Sequence, residues 1–71
     1  MSRPKKRSLT LRGHRTSVSL EDDFWDAFRE LAAQDGRAIN DLAAEIDADR
    51  GIETGLASAI RLYVLRRFRE H

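Results

Sequence analysis

The chain has 71 residues, no cysteine and a formal net charge of +1. This length allows one domain with a limited core, and the lack of cysteine excludes a disulfide framework and a thiolate metal site. No apolar run reaches the roughly 18 residues of a membrane span. The two histidines are too far apart in the sequence to suggest a metal site. We therefore expect no metal and no membrane partner, and we expect oligomerisation to supply additional buried area.

The charges are distributed unevenly along the chain. Residues 1–15 hold six basic residues and no acid, residues 16–53 hold three basic and eleven acidic, and residues 54–71 hold four basic and one acidic. A basic arm joined to an acidic body is typical of a tail that binds a polyanion, although a solvated tail that only aids solubility has the same composition. We predict a flexible basic arm at 1–12 and a folded domain at 13–71.

The stretch HRTSVSL, residues 14–20, alternates as a half-buried β-strand does. Its two faces carry Thr16, Val18 and Leu20 on one side and Arg15, Ser17 and Ser19 on the other. The stretch LTL at 9–11 alternates in the opposite phase, and Gly13 between the two indicates a bulge or the end of a regular ladder. No second convincing strand follows downstream. We therefore predict that strand 14–20 pairs with its own copy in a second chain, which would satisfy its backbone groups.

Apolar spacing predicts three helices after the strand. The first covers about 21–35 and ends at Gly36, the second runs from Ile39 to near Asp49, and the third covers about 55–69. The third helix is apolar over more than half of its circumference, which predicts burial on more than one side and again favours a dimer. The residues expected in the dimer core are Val18, Leu20, Phe24, Phe28, Leu31, Ile39, Leu42, Ile46, Leu56, Ile60 and Val64.

The order strand, helix, DGRAIN and helix resembles the ribbon-helix-helix family of DNA-binding proteins, to which the Arc and methionine repressors belong. The segments GHRTSVSLEDDFWDAF, LAAEIDADRG and ASAIRLYVLRRF are similar to a bacterial subfamily with an added third helix, and this resemblance covers residues 13–68. It implies a mainly α fold with one β-strand per chain, in the order βααα. It also implies an intertwined homodimer whose two strands form an intermolecular antiparallel ribbon.

The resemblance assigns functional residues by their positions. A two-stranded ribbon fits the major groove of B-DNA, and the base-reading side chains of the family fall on Arg15, Ser17 and Ser19. The family also binds a phosphate at the N-terminus of the second helix. The residues expected to contact phosphate are Arg3, Lys5, Lys6, Arg7, Arg12, His14, Ala38, Ile39 and Asn40. Members often have Ser or Thr where this chain has Ala38, so one contribution to the helix cap and to phosphate binding is missing.

These features predict a sequence-specific DNA-binding transcriptional regulator, a repressor, located in the cytoplasm at the nucleoid. Its expected partners are double-stranded DNA and a second copy of itself. The alternative is an antitoxin-like or adaptor dimer with weak DNA affinity, whose C-terminal helix binds a protein partner. The sequence has no Gly-rich phosphate loop, no carboxylate pair in a pocket-forming context and no nucleophile spaced with a histidine. We therefore expect no catalytic residue, no cofactor and no enzymatic activity.

Overall fold

The structure, a computed structural model, describes residues 3–70. Its elements in chain order are β1 (Lys5–Leu11), β2 (His14–Leu20), α1 (Asp22–Gln34), α2 (Ile39–Asp49) and α3 (Leu56–Arg69). The three helices agree with the sequence prediction to within one residue at the ends that it defined. Residues 1–2 of the predicted arm and residue 71 of the predicted domain lie outside the described residues.

The partner of β2 differs from the prediction. β1 and β2 pair antiparallel within one chain, in a register that runs from Lys5 opposite Leu20 to Leu11 opposite His14. The chain therefore has two strands and not one, and β1 occupies most of the segment that was predicted to be a flexible arm. The two-stranded ribbon that was expected between two chains is formed inside a single chain.

A two-residue turn joins the strands. Arg12 and Gly13 both have positive φ, 52° and 85°, which is the backbone pattern of a type I′ turn, the tight turn that best matches the twist of a hairpin. Because Leu11 and His14 then face each other, odd positions in β1 share a face with even positions in β2. The change of phase that had indicated a bulge at Gly13 is therefore the consequence of a hairpin turn.

The inner face of the ribbon packs on the three helices and forms one core. The buried apolar residues are Leu9, Val18, Leu20, Phe28, Leu31, Ala32, Leu42, Ala43, Ile46, Ile60 and Val64. Of the residues predicted for a dimer core, Phe24, Ile39 and Leu56 are half-buried against this cluster and the others are fully buried. Fully burying a large apolar side chain contributes about 1.5–3 kcal/mol. One chain covers this set without a second copy.

Helix α3 is covered on one side only. Ile60 and Val64 face the core, whereas Leu62, Leu65 and Phe68 remain 42%, 49% and 56% exposed. We call these three residues the α3 stripe. The prediction that all apolar sides of this helix are buried is therefore not met within one chain. Among residues 3–70, no helix combines the length and the apolar character that crossing a membrane requires.

Candidate nucleic-acid interface

The outer face of the ribbon carries six polar side chains and no apolar one. Its cross-strand pairs are Lys6 with Ser19, Ser8 with Ser17, and Thr10 with Arg15. All six residues are exposed. Because side chains alternate along a strand, this face lies opposite the one that packs on the core. The structure thus brings the three predicted base-reading residues onto one solvent-facing surface, beside three residues of β1.

Sequence reasoning missed Ser8 and Thr10 and assigned Lys6 only to phosphate. The signal that would have found them was the alternation in KKRSLTL together with the link Arg12-Gly13. Two alternating runs separated by two residues with a glycine indicate a hairpin. In a hairpin with a two-residue turn, the outer positions of the first strand are fixed by those of the second, so Arg15 and Ser17 would have identified the outer face of β1.

The shape and charge of the ribbon suit a DNA groove. Neither strand contains an acidic residue, and Lys6 and Arg15 place a cation near each end of the outer face. Two strands lie about 4.8 Å apart and a seven-residue strand is about 23 Å long. The major groove of B-DNA is about 12 Å wide and accepts a ribbon of this width.

The N-terminus of α2 lies at the outer edge of β1. The backbone N–H of Thr10 donates a hydrogen bond to Oδ1 of Asn40 at 3.0 Å. The first N–H groups of any helix have no intrahelical acceptor, and the N-cap of α2, Ala38, makes no side-chain cap hydrogen bond to them. The predicted phosphate site at Ala38–Asn40 is thus adjacent to the ribbon, although Asp41 adds a negative charge to the same turn.

Arg61 of α3 holds the opposite edge of the ribbon. Its Nη2 donates to the backbone carbonyl of Ser19 at 3.2 Å and to Oε1 of Glu21 at 2.8 Å. A backbone hydrogen bond at Glu21 and, to a smaller extent, the hydrogen bond from Arg61 hold the pKa of this carboxyl below its ordinary value. Through these two contacts, Arg61 fixes α3 to the end of β2.

Two cations of β1 are on the inner face and pair with α1. Lys5 Nζ lies 3.2 Å from a carboxylate oxygen of Asp22, and Arg7 forms a second ion pair with the same group. These hydrogen bonds, first from Arg7 and then from Lys5, hold the pKa of Asp22 below its ordinary value. The Arg7 guanidinium also lies 5.4 Å from the centroid of the Trp25 ring. The Arg7 side chain is 17% exposed and is held by these contacts, whereas the sequence had predicted a phosphate contact for it.

The other predicted phosphate-contacting cations remain available at the ends of the ribbon. Arg12 lies in the turn and His14 follows it, and both are exposed. Arg3 precedes β1 and is exposed as well. These residues place exposed basic side chains before β1 and at the turn.

A cleft of roughly 320 Å³ separates the end of α2 from α3. Its walls include Ile46, Arg50, Leu62, Tyr63 and Arg66. Through Leu62, the cleft is continuous with the α3 stripe. Within residues 3–70, no three His, Asp or Glu side chains are grouped so that they could hold a metal ion.

Comparison with known proteins identifies the family. The family model described as a ribbon-helix-helix domain matches residues 4–68. No curated protein and no solved structure matches the chain significantly. The match includes β1, β2 and nearly all of the three helices. This chain therefore belongs to the ribbon-helix-helix family.

Proposed function

We propose that this protein is a sequence-specific DNA-binding transcriptional regulator, acting as a repressor, that inserts its β-ribbon into the major groove. The observation that carries the proposal is the exposed, acid-free outer face on which Arg15, Ser17 and Ser19 lie side by side. Family membership supports it, because ribbon-helix-helix proteins are in general DNA-binding regulators and typically not enzymes. Such a regulator acts on the nucleoid in the cytoplasm.

Base recognition is proposed to depend most strongly on Arg15. A guanidinium donates two hydrogen bonds to O6 and N7 of guanine, and each such pair contributes about 1–3 kcal/mol of discrimination against the wrong base. Ser17 and Ser19 can bond to several base edges and discriminate less. The remaining specificity is proposed to come from the shape and deformability of the DNA.

Phosphate binding is proposed for the residues around the ribbon. Arg3, Arg12 and His14 lie beside it, and the free N–H groups at Ala38–Asn40 lie at the edge of β1. The positive end of a helix dipole and its free amides attract phosphate. Each phosphate that is neutralised by a cation adds about 0.9 to the slope of log affinity against log salt.

The assembly that binds DNA is proposed to be a homodimer that recognises near-palindromic sites. Ribbon-helix-helix proteins generally bind DNA as dimers. The α3 stripe supports this proposal, because Leu62, Leu65 and Phe68 expose apolar surface on one helix and a second copy would cover it. In this arrangement each chain brings its own ribbon, and contacts between the helices set the spacing of the two ribbons.

A second candidate function is an antitoxin-like or adaptor dimer whose C-terminal helix binds a protein partner. The observation that favours it is the continuity between the α3 stripe and the cleft beside Leu62. A protein of this kind would bind DNA weakly. It would co-purify with another protein, and replacing Leu62 or Leu65 by a polar residue would release that protein without unfolding the chain.

The test of the first function is the selection of bound sequences from a random duplex pool, followed by electrophoretic shift assays. We expect an enriched motif for the wild-type protein and a loss of preference at one base pair in each half-site for Arg15→Ala. Arg3→Ala is the matched control, since the loss of a phosphate contact weakens binding to all sequences and reduces the salt slope. No shift with any duplex at low salt would refute the proposed function.

A further inference from the structure

The two strands of the ribbon carry nearly the same chemical pattern, nine residues apart. KKRSLTL at 5–11 and HRTSVSL at 14–20 agree in basic, hydroxyl or apolar character at every position but one, where Arg7 corresponds to Thr16. The corresponding outer residues are Lys6 and Arg15, Ser8 and Ser17, and Thr10 and Ser19. Each strand therefore presents a cation followed by two hydroxyl groups outward.

The register converts this repeat into an approximate two-fold symmetry. Ser8 lies opposite Ser17 at the middle of the ribbon. A two-fold axis through this pair, perpendicular to the ribbon, maps each residue of β1 onto the residue nine positions later in β2. Lys6 and Arg15 therefore lie at diagonally opposite corners of the outer face, in equivalent environments.

Side chains of α2 and α3 contact symmetry-related positions at the two outer edges of the ribbon. In an antiparallel ladder with Leu11 and His14 as the hydrogen-bonded pair beside the turn, Thr10 and Ser19 direct their backbone groups away from the partner strand. Asn40 of α2 accepts from the N–H of Thr10, and Arg61 of α3 donates to the carbonyl of Ser19. Symmetry-related positions on the two strands are thus each held by a helix side chain.

We propose that β1 supplies half of the base-reading surface, with Lys6, Ser8 and Thr10 as specificity-determining residues equivalent to Arg15, Ser17 and Ser19. This inference rests on the proposed function and deepens it. A single chain then presents a complete, nearly two-fold reading face, which ribbon-helix-helix proteins with one strand per chain build from two chains. The element that one ribbon reads is a short inverted repeat in duplex DNA, with a basic side chain directed at a purine edge on each side of the local dyad.

The test compares symmetry-related variants by selection from a random duplex pool. Lys6→Ala and Arg15→Ala remove the equivalent cations, and Thr10→Ala and Ser19→Ala remove equivalent hydroxyls. All four residues are exposed, so circular dichroism is expected to give wild-type spectra. Thr16→Ala, at an exposed position that belongs to the inner-face series, is the hydroxyl control, and Arg3→Ala is the charge control.

We expect Arg15→Ala to reduce discrimination at one base pair of the element read by each ribbon by roughly five- to 150-fold, and Lys6→Ala to do the same at the base pair on the other side of the local dyad of that element. Thr10→Ala and Ser19→Ala are expected to give smaller losses at related positions. Thr16→Ala is expected to keep the wild-type motif and affinity, and Arg3→Ala to lower the affinity for all sequences without changing the motif. If Arg15→Ala relaxes one position but Lys6→Ala only weakens binding to all sequences and Thr10→Ala changes nothing, the inference is overturned and the proposed function stands. If the wild-type protein enriches no motif, the proposed function itself fails.

Discussion

The backbone N–H of Thr10 in β1 donates to the side-chain oxygen of Asn40 in the first turn of α2, with 3.0 Å between the two atoms. This contact satisfies a backbone group at a strand edge that would otherwise face solvent. It also fixes the N-terminus of α2 beside the ribbon, so the outer face of the ribbon and this helix end keep a constant relative position.

Substitutions at Asn40 separate these two roles. Asn40→Asp keeps an oxygen that accepts from Thr10 but adds a negative charge where a phosphate would bind. We expect unchanged thermal stability and about fivefold weaker DNA binding, as one unfavourable charge interaction of about 1 kcal/mol in a fully solvated site implies. Asn40→Ala removes the hydrogen bond and is expected to reduce the free energy of unfolding by about 1 kcal/mol. Equal DNA affinity for Asn40→Asp and the wild type in fluorescence anisotropy would exclude a phosphate at this site.

The ion pairs of Asp22 make the stability of the fold depend on pH in the acidic range. Hydrogen bonds from Arg7 and Lys5 lower the pKa of Asp22 from its ordinary value of 3.8, so the unfolded chain takes up a proton at a higher pH than the folded one does. The stabilisation is therefore present above about pH 4 and is lost as the pH falls through the lower folded-state pKa.

We expect the melting temperature to be level between about pH 7 and 5 and to fall below about pH 4, and Asp22→Asn to reduce this dependence. Asp26→Asn, on the exposed side of α1, is the control. Thermal melts followed by circular dichroism provide the measurement. A wild-type acid dependence in Asp22→Asn would show that the ion pairs to β1 do not contribute.

One substitution in the turn between the strands is expected to stabilise the ribbon. Arg12 has a φ of 52°, in a region that asparagine tolerates better than long side chains do. Arg12→Asn creates the Asn-Gly sequence that type I′ turns favour, and we expect a gain of about 0.5 kcal/mol in the free energy of unfolding. Gly13→Val places a β-branched residue at positive φ and is expected to cost about 1–2 kcal/mol. Urea denaturation measures both, and insensitivity to both would mean that the hairpin does not contribute to folding.

The α3 stripe is expected to govern assembly. Leu65→Lys replaces an apolar side chain that is 49% exposed in the single chain, so the fold should persist while a contact between copies is disrupted. We expect the dimer dissociation constant to rise at least tenfold in sedimentation equilibrium. Ile52→Lys is the control, because Ile52 is fully exposed but lies in the loop before α3. A wild-type protein that stays a folded monomer at micromolar concentration would contradict the proposed dimer.

The helices and β2 could be predicted from the sequence because the residue patterns that define them lie within each segment. Apolar spacing defines each helix, and alternation assigns Arg15 and Ser17 to the outer face of β2 without knowledge of its partner. β1 was missed because Lys5 and Arg7 occupy inner-face positions where an apolar side chain is the usual signal. Both side chains pair with the carboxylate of Asp22, which lies 15 or more residues later in the sequence.

Long-range ion pairs account for the remaining differences in the site. Arg61 binds Glu21, 40 residues away in the sequence, and Arg67 binds Asp35, 32 residues away. A helical wheel assigns both arginines to a solvated face, because their acidic partners are on other elements. Only the packing of α3 against α1 brings these charges together, and periodicity within one segment contains no information about that packing.

Under the proposed function, the hairpin also affects how the recognised DNA sequence can change by mutation. In a ribbon made from two identical chains, one codon change alters both strands, and the recognised site stays an inverted repeat. Here Lys6 and Arg15 are encoded separately, so a mutation at either one changes a single strand of each ribbon. Under the proposed function, a single point mutation can thus make the element read by each ribbon asymmetric, while the two half-sites of a homodimer stay related by symmetry.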